Sequence, residues 1–128
     1  MIAIDTNVLV RFLVLDDEDQ AARARELITR HDVWVSRTVL LETCWVLRSA
    51  YGHSNAVVAG YIEKVLGLGR IFVEDAESVA GALEVARNGV ELADALHMIG
   101  LPPTVREFVT FDRRLAKRAR YPLRVRVL

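Results

Sequence analysis

Short apolar runs alternate along this chain with longer segments of mixed polarity. Met1 to Ile4, Val33-Trp34-Val35, Arg70-Ile71-Phe72-Val73 and Phe108-Val109-Thr110-Phe111 have the length of buried strands, and Leu123 to Leu128 alternates enough to make a fifth. The segments between them read as helices with start and stop signals. The apolar stretch Val8 to Leu15 follows a strand-to-helix turn at Asp5, and Gln20 through Arg30 makes a second helix after the acidic run 16–19. A third runs from Ser36 through Tyr51 and closes at Gly52, and a fourth starts at Ser54 and ends by Gly67 and Gly69. Asp75 to Asn88 and about Val90 to Leu101 follow, the latter stopped by Pro102-Pro103, and a basic helix extends from Asp112 to about Arg120. Strands separated by helical stretches of a dozen or more residues predict an α/β protein with a parallel sheet covered on both faces.

At 128 residues the chain has the size of one domain, residues 1–128, burying about two thirds of its unfolded surface. Acids and bases balance at 17 each, so net charge points to no nucleic acid or membrane. Their distribution does point somewhere: seven of the 17 bases and none of the acids fall in residues 113–128. Cys44, the only cysteine, excludes an internal disulfide and reads as packing. Arg11 interrupts the best candidate for a membrane span, the N-terminus lacks a basic leader, and a soluble cytoplasmic protein is expected. Trp34 and Trp45, flanked by apolar residues, are expected in the core.

Four carboxylates change the picture. Asp5 and Asp112 each end an apolar strand just before a helix, a place where an acid can cap the helix and where open α/β sheets also keep their chemistry. Glu42 lies on a helix that is apolar nearly all round, with Val39, Trp45 and Val46 beside it; burial there is costly without a partner, which could be a metal or an arginine. Asp94 stands opposite the stripe Leu92, Ala95, Leu96 and Ile99, together with Glu91, His97 and Met98. Acids meeting above a sheet would select a hard cation such as Mg²⁺ or Mn²⁺ and suit phosphodiester hydrolysis.

The segments Ile2-Ala3-Ile4-Asp5-Thr6-Asn7-Val8-Leu9, Val39-Leu40-Leu41-Glu42, Ala93-Asp94-Ala95-Leu96-His97 and Thr110-Phe111-Asp112 together resemble PIN-domain ribonucleases, particularly VapC-type toxins of toxin–antitoxin pairs. The resemblance implies a three-layer fold with a five-stranded parallel sheet in order 3-2-1-4-5, flanked by helices. It makes Asp5, Glu42, Asp94 and Asp112 the catalytic, metal-binding acids, with Asn7 and Thr110 in support and Glu91 as an outer acid. It further implies Mg²⁺- or Mn²⁺-dependent cleavage of RNA, commonly tRNA or rRNA, a VapB-type antitoxin and a homodimer. His97, three residues from Asp94, could hydrogen-bond it, and Arg113, Arg114, Lys117 and Arg118 could hold an RNA backbone. The alternative is a catalytically silent PIN-like module that binds RNA or protein. A phosphatase or phosphoacceptor domain is disfavoured because Thr6-Asn7, with no further acid, follows Asp5.

Overall fold

A computed structural model describes residues 1–119 and 123–128, which form two compact units, Met1–Ala76 and Glu77–Leu128. In the first, β1 (Ile2–Ala3), β2 (Val33–Val35) and β3 (Ile71–Val73) make a parallel sheet in the order β1-β2-β3. Their register aligns Val33 with Ile2 and Ile71, and Trp34 with Ala3 and Phe72. Successive strand residues face opposite ways. Val33 and Val35 are therefore fully buried, whereas Trp34 and Phe72 on the alternate positions are 38% and 41% exposed. The expectation of a core tryptophan thus fails at Trp34, because its parity in the strand sets it against the buried valines.

Four helices join these strands: α1 (Thr6–Val14), α2 (Glu18–Arg30), α3 (Arg37–Ser49) and α4 (Asn55–Leu66). Each begins at a residue able to accept a hydrogen bond from an orphan backbone N–H, respectively Asp5, Asp17, Ser36 and Ser54. The acidic run divides its labour. Asp17 caps α2, Glu18 and Asp19 occupy its first turn, and Asp16 turns back to Arg11. Arg11 donates to both Asp16 oxygens at 2.7 Å, to Gln20 at 2.7 Å and to the Tyr51 hydroxyl at 3.1 Å. Tyr51 in turn donates to Asp16 at 2.7 Å, so one guanidinium ties α1, the following loop, α2 and the end of α3 together. These bonds, Arg11's first and Tyr51's second, hold the Asp16 carboxyl below its ordinary range.

On α3 the buried face is Leu40, Thr43, Cys44 and Leu47. Apolar residues elsewhere on the helix did not bury it all round: Trp45 is 66% exposed and Glu42 is exposed with it. One apolar face suffices to anchor a helix, and large apolar side chains on the other faces stay unenclosed. Cys44 is packing as expected, its thiol pushed up to about 12 by burial.

In the second unit, α5 (Ala76–Arg87) buries Val79, Ala82, Leu83, Val85 and Ala86. Gly89, in the left-handed region at φ +92°, turns the chain towards α6 (Leu92–Met98). Met98 belongs to the buried side of α6, 2% exposed, and not to the polar side where its helical position had put it. The helix stops there, before its expected end near Leu101, as Gly100 takes φ +77° ahead of the two prolines. β4 (Glu107–Thr110) and β5 (Arg124–Val127) pair in parallel from Glu107↔Arg124 to Thr110↔Val127, and α7 (Arg113–Arg118) connects them. The basic helix is thus shorter than expected, and Arg120 lies outside the described residues.

The α/β class and the parallel pairing hold, and the two segments of the expected order, 3-2-1 and 4-5, are each present. The single five-stranded sheet is corrected: among the described residues the strands form one sheet of three and one of two. β1 gives the ladder only two residues, and the chain leaves extended structure at once to make Asp5 a helix cap. So short a strand has little backbone to offer a second neighbour.

Candidate active site

In the N-terminal unit, β1 and the cap of α1 fix Asp5. Its Oδ1 accepts from the Val8 backbone N–H at 3.0 Å, and the side chain is exposed. The next residue, Thr6, is buried, and its hydroxyl donates to Glu42 Oε2 at 2.9 Å. A bond across 36 residues therefore brings the Glu42 carboxylate to the residue beside Asp5. Glu42 is an exposed acid held by a hydroxyl, in place of the buried acid anticipated from its neighbours. Thr6 was missed in the sequence as a contributor. The available signal was a polar residue in the first turn of α1 on the same side as Leu9, Val10 and Leu13, the buried stripe. Asn7 is exposed. It lines a groove of about 360 Å³ between α1 and α2 with Val8, Arg11, Gln20, Arg23, Ala24 and Leu27.

In the C-terminal unit, Asp112 caps α7 by accepting from Arg114 N at 2.8 Å and Leu115 N at 3.1 Å, both on Oδ1. The Thr110 hydroxyl oxygen accepts from Asp112 N at 3.0 Å. Asp94, half-buried on the first turn of α6, faces a pocket of about 150 Å³ shared with Glu91, Asp112, Arg114 and Arg118. Burial is the main reason its carboxyl titrates above the ordinary value; His97 opposes this, and the charges of Asp112 and Glu91 add to it. His97 itself is exposed. Arg118 donates to the Gly89 carbonyl at 3.1 Å, which straps α7 to the turn before Glu91. Arg113, Arg114 and Lys117 are exposed on α7.

The donors fit a hard divalent ion in kind, all being carboxylates, and a carboxyl pushed up by burial and by neighbouring acids is one that a cation would relieve. Among the described residues, no three His, Cys, Asp or Glu side chains are gathered closely enough to hold a metal by themselves. Asp5 and Asp112 share a further property. Each uses Oδ1 as a helix cap, leaving Oδ2 without a capping bond, so capping and ligation are compatible in one residue.

No helix among the described residues is long and apolar enough to cross a membrane. No curated protein matches the chain. The family model for the PIN domain matches residues 2–121, a span that includes all four acids. PIN domains are generally metal-dependent nucleases, and proteins that carry them commonly bind RNA and often antitoxins. By a match that covers nearly its whole length, the chain belongs to the PIN-domain family.

Proposed function

We propose that this protein is a Mg²⁺- or Mn²⁺-dependent endoribonuclease of the cytoplasm, acting as the toxin of a toxin–antitoxin pair. The family match across residues 2–121 carries the reading, and because it runs through both units it also supports treating them as one functional PIN domain. Asp5 and Glu42 from the first unit and Asp94 and Asp112 from the second are the proposed metal-binding set, with Glu91 and His97 outside it. When bound, the ion supplies water activation and charge stabilisation at the phosphate, so no nucleophilic side chain is needed. The chain's own contribution is to hold oxygen donors in place. Thr6 fixes Glu42, Thr110 and the cap bonds fix Asp112, and the partial burial of Asp94 discourages its ionisation until a cation arrives. Asn7 is a supporting residue in this proposal by its place beside Thr6. The substrate would be tRNA or rRNA, the inhibitor a VapB-type antitoxin, and the working form a homodimer.

Purified protein incubated with RNA and Mn²⁺ should cleave it, and EDTA should stop cleavage. The absence of a three-donor group among the described residues favours one other reading, a silent PIN-like module that binds RNA or protein. Binding without metal-dependent cleavage would establish that reading and end the nuclease proposal.

The cations of α7 are the proposed contacts to the RNA backbone: Arg113, Arg114, Lys117 and, beyond its bond to Gly89, Arg118. Affinity should fall with salt through counterion release, by about 0.7 in slope for each phosphate neutralised on a single strand. The double variant Arg113→Ala with Arg114→Ala should flatten a plot of log K against log salt by roughly 1 to 1.5 on that scale. An unchanged slope would remove these two arginines from the interface.

A further inference from the structure

Phe111 is 77% exposed, more than any other large apolar side chain described, and it follows Thr110, whose carbonyl accepts from Leu128 N at 2.9 Å. Sequence periodicity had placed it in the fourth strand, but β4 ends at Thr110 and Phe111 stands in the bend that follows. The backbone around it is well tied. Asp112 N donates to Thr110 Oγ1 at 3.0 Å, and Arg114 N and Leu115 N donate to Asp112 Oδ1 at 2.8 and 3.1 Å. A planar ring is thus presented to solvent on a bonded turn, one residue before a proposed metal-binding acid and two residues before the exposed pair Arg113 and Arg114.

These features suit a nucleic-acid occupant. A ring face offers stacking to a base whose own face is free, and guanidinium groups beside it suit the phosphates on either side of that base. A base inside a duplex is already stacked and has no free face to give, whereas an unpaired base has one. Resting on the proposed ribonuclease function, we infer that Phe111 stacks on an unpaired base of the RNA bound at Asp112.

The test uses the full chain in EDTA, so that binding is read without cleavage, and follows fluorescence anisotropy of a labelled, unstructured oligoribonucleotide and of its duplex. Phe111→Ala should weaken single-strand binding about 5- to 30-fold, the lower part of the range for loss of one base–aromatic stack. Duplex binding should stay the same. Phe111→Trp, which keeps a stacking face, should bind the single strand within a few-fold of the parent. An unaltered melting temperature in both variants is expected, since the ring covers little of the protein. Parent-like single-strand affinity in Phe111→Ala, an equal loss on duplex, or a Trp variant as weak as the Ala variant would each overturn the stacking role. So would a defect confined to capture of a protein partner. Cleavage by the parent in Mn²⁺, scored separately, reports on the nuclease reading: stacking without cleavage would leave this inference standing and sink that one.

Discussion

Asp94→Asn is expected to abolish metal-dependent RNA cleavage while making the metal-free protein at least as stable as the parent. The two effects have one origin. A half-buried carboxylate near Asp112 and Glu91 is costly to ionise, and burial, the largest contribution, raises its pKa in the folded state. Between the ordinary aspartate value and that raised value the folded chain holds the proton more tightly than the unfolded chain does. Stability therefore falls as pH rises through this window and stays lower at neutral pH. Asparagine carries no such charge, so the melting temperature in EDTA should be equal or higher than the parent's at pH 7, and the two proteins should converge at pH values below the window. Activity should move the other way. Loss of a donor from a metal that supplies several kcal/mol of transition-state stabilisation corresponds to about a thousandfold or more in kcat/KM. Adding Mn²⁺ should raise the parent's melting temperature and leave that of Asp94→Asn nearly unchanged. A variant that melts lower than the parent in EDTA would show that Asp94 serves the fold and not the ion.

Helix starts were the most legible part of the sequence. Asp5, Ser36, Ser54 and Asp112 cap helices where their positions predicted, because a cap depends on a few consecutive residues and on no distant partner. Burial was legible only where periodicity had a single answer. In β2, Val33 and Val35 bury and Trp34 does not, and nothing in three consecutive apolar residues says which parity wins. On α3, hydrophobicity around Glu42 suggested enclosure, yet the helix needed only the face of Leu40, Cys44 and Leu47. Strand pairing was legible by halves: the parallel neighbours β1-β2-β3 and β4-β5 follow from connections through helices, whereas membership of one continuous sheet depends on backbone bonds that β1, two residues long, is poorly equipped to make. The acids stand out in the sequence as candidates, but the residue that holds Glu42 does not. The bond from Thr6 to Glu42 joins positions 36 apart, and no local pattern announces it.

Asparagine in place of Asp5 or Asp112 should separate the cap each residue makes from the ion binding proposed for it. Asn caps a helix about as well as Asp, because its side-chain oxygen accepts the same backbone hydrogen bonds. Asp112→Asn should therefore keep the bonds from Arg114 N and Leu115 N, and Asp5→Asn the bond from Val8 N. Each variant should melt within about a degree of the parent. Alanine loses the cap as well, at about 1 kcal/mol, which for a chain of this size lowers the melting temperature by roughly 3–5 °C. Cleavage should not follow stability. Both substitutions remove a charged oxygen donor, so Asn and Ala variants alike should lose activity by two to four orders of magnitude, roughly the several kcal/mol assigned to charge stabilisation by a bound metal. The decisive comparison is Asp112→Asn against the parent, since a capping acid and a capping amide differ in charge and hardly at all in shape. Full activity in that variant would reduce Asp112 to a cap and take with it the proposal that these carboxylates share an ion; an inactive protein with an unchanged melting curve would assign the loss to the missing charge.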